Sequence, residues 1–437
     1  MPAASKILRV LQPLILTLAL ALPAGCAAGD SAGATAHGDP SGVRAHRAQD
    51  FVLSTGINTH TYYTNTAYHR RFPTIKHRLV EPGVPHVREN LVPGRPDQYR
   101  MLNQLAGVGI DAQLIVGDPS NGLRGMRRLV AILATRVSGA ASAIEGPNEY
   151  DLSGDPRWRP RLDRYQRALF RTVRGTPALA KLPIVGPSVG QLRDGLVVTD
   201  LSRWLDYGNV HSYPDAEPPE LILPTWLEAA ARTSGEKPVM ATETGYHNAL
   251  GARWGQRPTS EAAAAAYIPR TYLDYYGRGV ARTFPYELID EFPDRGKDEP
   301  EWNFGLLRDD LSPKPAFVAV RNLIDLVEDP GPKFTTGRLD FTLGGDLGRL
   351  RTLLLQKRDG RFYLSLWRET SVWDANRRAP LDPGTAPVRI TFAYPPDSVR
   401  LARPNRSTRA EPLKLTAGAT SVEVGPRVAM LEIDPAG

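Results

Sequence analysis

The sequence predicts an α/β chain: a (β/α)8 barrel over residues 49–330, then a small antiparallel β-sandwich over residues 331–437. Three observations predict it. Short apolar runs alternate with helical patterns eight times between Phe51 and Val327, the count and length of a closed parallel barrel. Polar residues collect at the C-terminal ends of those runs, the rim on which such barrels build their sites. Beyond Pro330 helical periodicity stops, and strand-like runs follow, separated by Gly, Pro, Asp and Asn. The doubly wound sheet, the structural alternative, lacks its phosphate fingerprint: no GxGxxG or GxxxxGK[ST] sits in a strand-to-helix turn.

The elements follow in order. Residues 1–28 read as an export leader, with Lys6 and Arg9 ahead of an apolar run from Val10 to Leu22 and small residues after it. Cys26, the single cysteine, follows Ala24-Gly25 much as a bacterial lipobox cysteine does, although Pro23 stands where an aliphatic residue is usual. Lipidation at Cys26 and plain cleavage after Ala27 or Ala28 are the two outcomes. They imply a protein anchored to the outer face of the membrane or a secreted one. One cysteine excludes an intrachain disulfide. Residues 29–48, rich in Gly, Ala and Ser, read as a tether.

The barrel strands are expected at Phe51–His60, Val84–Asn90, Asp111–Gly117, Ala143–Glu149, Leu182–Ser188, Asn209–Pro214, Val239–Glu243 and Val280–Glu287. Helices are expected between them, of which Gly122–Val137 and Glu261–Tyr276 are the best patterned. The second has a Thr259-Ser260 start and a Gly277 stop. The sandwich strands are expected near Thr352–Gln356, Phe362–Trp367, Val388–Phe392, Ser421–Val424 and Val428–Ile433.

Composition narrows the function. The 437 residues are 41% hydrophobic and 23% charged with net charge +7, an ordinary globular balance. No basic stripe interleaved with aromatics suggests nucleic acid. No segment after the leader is apolar enough to span a membrane, so membrane contact is expected only through a lipid anchor. A monomer is expected.

Strand alternation then aims polar groups at one hollow. Glu145 and Glu149 share a face on the fourth strand, Asn209, His211 and Tyr213 on the sixth, Arg88 and Asn90 on the second, and Asn58 and His60 on the first. Glu243 ends the seventh, and Tyr286 and Glu287 end the eighth. Glycosidic cleavage needs a carboxylic acid for the leaving oxygen and a second carboxylate. Glu149 is the expected acid/base and Glu243 the expected nucleophile. Tyr213 is placed to donate to Glu243, and Arg88 to lower its pKa. Glu145 is a deeper support, and Asn148 is placed to hold a sugar 2-hydroxyl. Each has a plainer reading: Glu149 as a first-turn helix acid, Arg88 as a buried ion-pair partner, His60 as a satisfied structural histidine. The loop acids Asp290, Glu291 and Asp294 read as solvated.

These residues resemble glycoside hydrolase clan A. Glu145-Gly146-Pro147-Asn148-Glu149 looks like the acid/base strand of that clan, and Thr242-Glu243-Thr244-Gly245-Tyr246 like its nucleophile strand. His211-Ser212-Tyr213-Pro214 resembles its sixth strand, and Arg88 matches the arginine of its second. Asn303-Phe304-Gly305 followed by Ser312-Pro313-Lys314-Pro315 resembles the endings of its families 5 and 39. Where many members carry a Trp on the eighth strand, this chain has Phe284-Pro285-Tyr286-Glu287. The resemblance implies a retaining hydrolase acting on an equatorial linkage of a carbohydrate, without metal or organic cofactor. The alternative is a non-catalytic carbohydrate-binding or cell-envelope protein on the same scaffold. A zinc hydrolase is disfavoured, since no two histidines are spaced H-x-H and no H-E-x-x-H occurs. A serine hydrolase lacks its G-x-S-x-G elbow.

Overall fold

A computed structural model describes residues 42–436. The leader, Cys26 and most of the tether lie outside the described residues. The parallel strands are β1 (Ile57–Asn58), β2 (His86–Asn90), β3 (Asp111–Ile115), β4 (Ala141–Glu145), β5 (Ile184–Val185), β6 (Gly208–His211), β7 (Val239–Thr244) and β8 (Thr283–Pro285). β1 to β5 pair in sequence order, as do β6 to β8. Parallel bridges Val185–Tyr207 and Thr55–Thr283 join the two sheets at both seams. The eight strands therefore close into a (β/α)8 barrel, as the sequence leads one to expect.

The helices between the strands bury one stripe each. In Gly122–Ile132 the buried residues are Met126, Leu129 and Val130, and the arginines face outward. Ser260 caps Glu261–Gly277 by accepting from the amide of Ala263. The first strand is shorter than the sequence suggests. Phe51 and Val52 end the short helix Ala48–Val52 instead, where their side chains enter the core.

The C-terminal unit is a β-sandwich. One sheet has strands Ser407–Pro412, Ser398–Arg403, Ala429–Asp434, Phe362–Arg368 and Leu350–Gln356, and the other has Phe341–Gly345, Ala386–Phe392 and Ala419–Val424. The tether expectation fails at its end: Val43–Arg44 pairs with Arg338–Leu339, and His46–Arg47 extends the larger sheet beside Leu355. The Gly/Ala/Ser-rich residues ahead of Val43 masked this, because two-residue strands carry no periodicity.

The larger sheet is buried on both faces. Along Leu350–Gln356, Leu354 enters the sandwich core while Leu353 and Leu355 pack into the barrel's core. Along Phe362–Arg368, Leu364 and Leu366 face the sandwich, and Tyr363 and Trp367 face the barrel. Period-two alternation thus serves two hydrophobic cores at once. Polar ties complete the seam: Trp373 donates its indole N–H to the Pro258 carbonyl at 2.9 Å, and buried Arg270 pairs with Glu369 at 2.7 Å. The sandwich packs against barrel helices and, through Trp373 and Arg378, against the loop after β7.

Candidate active site

Arg88, third residue of β2, is the centre of the rim. Its guanidinium grips Glu145 with two bonds, Nε to Oε2 at 2.8 Å and Nη2 to Oε1 at 2.7 Å. It also donates to Glu243 Oε1 at 2.6 Å, Asn148 Oδ1 at 2.6 Å and Asn58 Oδ1 at 3.0 Å. A fixed fork of five N–H donors is what such convergence needs, and lysine lacks it. Glu145 is fully buried, and its remaining lone pairs accept from Gln113 Nε2 at 2.7 Å and Asn209 Nδ2 at 3.2 Å. A carboxylate so saturated is positioned to orient others rather than to react.

Glu243 receives Arg88 on one oxygen and Tyr213 Oη, at 2.7 Å, on the other. Burial acts to raise its pKa, but the charges of His211 and Arg88 and the Tyr213 bond outweigh it and hold the group down to about 2. Tyr213 itself stays protonated, pushed well above its ordinary pKa by burial and by the negative charge of Glu243.

His211 links the two acids. Its Nδ1 lies 2.7 Å from Glu149 Oε1 and 3.5 Å from Glu243 Oε2, and its Nε2 lies 3.0 Å from Thr242 Oγ1. The proton inventory follows from the network. Asn209 donates through Nδ2 to Glu145 and to the Gly186 carbonyl, so its Oδ1 is an acceptor. Thr242 Oγ1 faces two acceptors, Asn209 Oδ1 at 2.7 Å and Glu145 Oε1 at 3.2 Å, so its proton goes to one of them and the oxygen can accept from His211 Nε2. With Nδ1 also facing carboxylates, the surroundings favour the protonated ring of His211. Burial lowers its pKa, but Glu243 and Glu149 more than compensate and raise it above the ordinary histidine value.

Glu149 reaches the site by a route that strand alternation does not describe. β4 ends at Glu145, and the chain passes Gly146 and Pro147 before Glu149 takes a left-handed conformation, φ 44° and ψ 42°, at the head of the Tyr150–Ser153 turn. Such a conformation is costly for a side-chain-bearing residue and is typical of functional positions. Gly146 makes the exit possible, since a Cβ there would meet Gln166 Oε1 at 2.2 Å. One oxygen each of Glu149 and Glu243 and a nitrogen of His211 lie within 4.8 Å of one another. The Glu149 side chain is 25% exposed and that of Glu243 11%.

The other expected residues divide. Asn148 accepts through Oδ1 from Arg88 and from Ser188 Oγ, which leaves its amide N–H groups without a protein acceptor among the described residues. Asn58 donates to the carbonyls of Thr242 and Phe284, so it ties β1 to β7 and β8 while supporting Arg88. His60 is buried and held neutral, its pKa down to about 3 through burial. It stacks on Tyr63 at 4.7 Å, and its Nε2 has no hydrogen-bond partner. Tyr286 packs between His60 and Phe304, at 5.4 Å from each.

Several participants escape sequence reading. Gln113 is one polar residue inside an apolar β3, and that oddity was its only signal. Thr242 and Glu243 both reach into the site because pairing between β6 and β7 shifts register at Val210/His211, and alternation cannot foresee a shift. Glu301, on the Pro300–Trp302 turn, is pushed up to about 7 by burial and by the charges of Glu243 and Glu149. The loop acids are not simply solvated. Asp290 is buried and pairs with Lys314 at 2.8 Å, and Glu291 is pushed up to about 8 by burial and by Glu301.

Two clusters near the cleft have the ligand types for a cation: Glu149, His211 and Glu243, and His60, Glu287 and Glu291. In the first, Arg88 already occupies Glu243 Oε1. Glu287 in the second is pushed well above its ordinary pKa by burial and by Glu291.

No family model matches the sequence, and no curated protein does. Solved structures do. A family 39 glycoside hydrolase from Bacteroides cellulosilyticus WH2 superposes with a TM-score of 0.62 at 16% identity, covering 90% of this chain and 83% of that one. This chain has the fold of family 39 glycoside hydrolase structures. A glucosidase from Croceicoccus marinus gives a TM-score of 0.61 at 15% identity, with 91% and 98% covered. The GH39 enzyme of Xanthomonas axonopodis pv. citri gives 0.57 at 14%, with 91% and 96% covered. The likeness spans barrel and sandwich together.

Proposed function

We propose that the protein is an exported retaining glycoside hydrolase in which Glu149 is the acid/base and Glu243 the nucleophile. The observation that carries this reading is the pair of carboxylates facing each other across His211, with oxygens within 4.8 Å. Retaining enzymes hold their carboxyl groups about 5–5.5 Å apart, whereas inverting ones leave about 6.5–9.5 Å for a water. The two environments divide the roles. Glu243, ionised and clamped by Arg88 and Tyr213, attacks the anomeric carbon. Glu149, the more exposed acid, can exchange its proton with solvent. His211 occupies its Oε1, which leaves Oε2 to protonate the leaving oxygen.

In the first step the Glu243 oxygen bonds to the anomeric carbon as the glycosidic C–O bond breaks and Glu149 gives up its proton. In the second, Glu149 takes a proton from water, the water oxygen attacks the same carbon, and the ester to Glu243 breaks. Asn148 is placed to donate to the sugar 2-hydroxyl. The clan resemblance argues for a β-linked hexose or xylose, or its α-L-arabinose equivalent. Export rests on the leader, and anchoring at the outer face rests on Cys26.

Glu149→Gln and Glu243→Gln should each lower turnover across a panel of aryl glycosides by at least about a thousandfold while leaving the melting temperature close to that of the parent. A non-catalytic envelope protein would turn over none of the panel even as the parent, and full activity in either variant refutes the assignment.

A further inference from the structure

A cavity of about 370 Å3 opens beside Asn148, between the ends of β2 and β3 and the start of the Gly122–Ile132 helix. That volume lies within the usual range for small-molecule sites, about 300–1,000 Å3. Leu91, Ile115 and Leu129 make an apolar floor, and Tyr62 on the β1 side offers a half-buried aromatic wall. The Glu149 carboxyl turns the other way, toward His211 on β6. The cavity therefore adjoins the cleft without containing either reacting carboxylate.

Arg128 stands over it. The side chain is exposed and makes no hydrogen bond or ion pair among the described residues. Arg124, one turn earlier on the same face, is also exposed and unpaired. One acid, Asp118, lines the cavity, and its Oδ1 is already taken by the amide and hydroxyl of Ser120. Gly125 also lines the cavity, and a Cβ there would meet Asn121 Cβ at 3.0 Å, a close approach within the first turns of the helix. An aromatic wall, an apolar floor and an unpaired planar cation suit a sugar ring that carries a negative group.

We propose that this cavity is a subsite for an anionic sugar, a hexuronate or a sulfated hexose, next to the unit cleaved, and that Arg128 holds its charge. The inference rests on the glycosidase reading and narrows its substrate to an acidic polysaccharide. A guanidinium meets a carboxylate or sulfate with two parallel hydrogen bonds, a geometry a neutral hydroxymethyl group cannot match.

The test is titration calorimetry on the full chain in the Glu149→Gln background with β-1,4-glucan trisaccharides in three matched forms: unmodified, oxidised at C6 to glucuronate, and sulfated at C6. At least one charged form should bind about tenfold more tightly than the unmodified one. Which of the two does so identifies the group. The preference should shrink in 0.5 M salt, on the order expected from screening, and vanish in Arg128→Ala. Because the readout is a ratio between ligands, general damage to the variant does not imitate the result. Equal binding of all three, failure of both charged forms to bind, or a preference that survives Arg128→Ala overturns the proposal. Binding requires no turnover, so a silent aryl glycoside panel would remove the reaction and leave this result standing, and the reverse also holds.

Discussion

At the scale of single residues, the site is a problem of placing protons. Three acids crowd around one arginine, and the structure keeps them distinct by what each accepts. Glu145 is saturated by Arg88, Gln113 and Asn209. Glu243 is stabilised as the anion, and Glu149 keeps a free oxygen. The Tyr213 contribution is measurable. Its hydrogen bond favours the charged form of Glu243, so Tyr213→Phe raises the nucleophile's pKa and moves the acidic limb of the kcat/KM profile toward higher pH. A hydrogen bond to a charged group is worth about 1.5–3 kcal/mol, and one pKa unit is about 1.4 kcal/mol, so the shift should be about one to two pH units. A profile that keeps its acidic limb while kcat falls would mean that Tyr213 acts on the sugar instead. Much of this residue layer is legible in the sequence, because Asn148-Glu149, Thr242-Glu243 and His211-Ser212-Tyr213 stand at predicted strand ends. Gln113 and Glu301 are not, since a lone glutamine in β3 and an acid in a long loop look ordinary until the fold brings them beside charges.

At the scale of elements, strand order and helix positions follow from periodicity, and the departures have local causes. β4 stops at Glu145, so Glu149 owes its position to a left-handed turn rather than to alternation. The shift between β6 and β7 brings two successive residues inward. Residues 43–47 join the sandwich as two-residue strands, too short to carry a periodic pattern. The strand Leu350–Gln356 shows why the second unit is more than an appendage, because its alternate residues enter two different cores. Leu355 is fully buried on the barrel side. Leu355→Ala should therefore cost about 2–5 kcal/mol. Urea unfolding followed by tryptophan fluorescence should show one transition moved to lower denaturant. Two separated transitions, with only the later one unmoved, would show that the sandwich folds apart from the barrel.

At the scale of the whole molecule, barrel and sandwich form one scaffold whose rim gathers six strands' polar ends into a single network. Arg88 on β2 touches groups from β1, β4, the loop after β4 and β7, and His211 on β6 joins that loop to β7. A network built from so many elements cannot form unless the barrel closes, and that is how a chain of low similarity to its structural neighbours keeps a defined geometry. A trapped intermediate tests the covalent step at Glu243 most directly. An aryl 2-deoxy-2-fluoro glycoside of the sugar that the panel identifies slows both steps and lets the glycosyl-enzyme accumulate. Mass spectrometric mapping of the digested protein should then find one fluorosugar on the peptide that carries Glu243. A sugar on Glu149 or Glu145, or steady release of a product of inverted configuration with no labelled peptide, would contradict it.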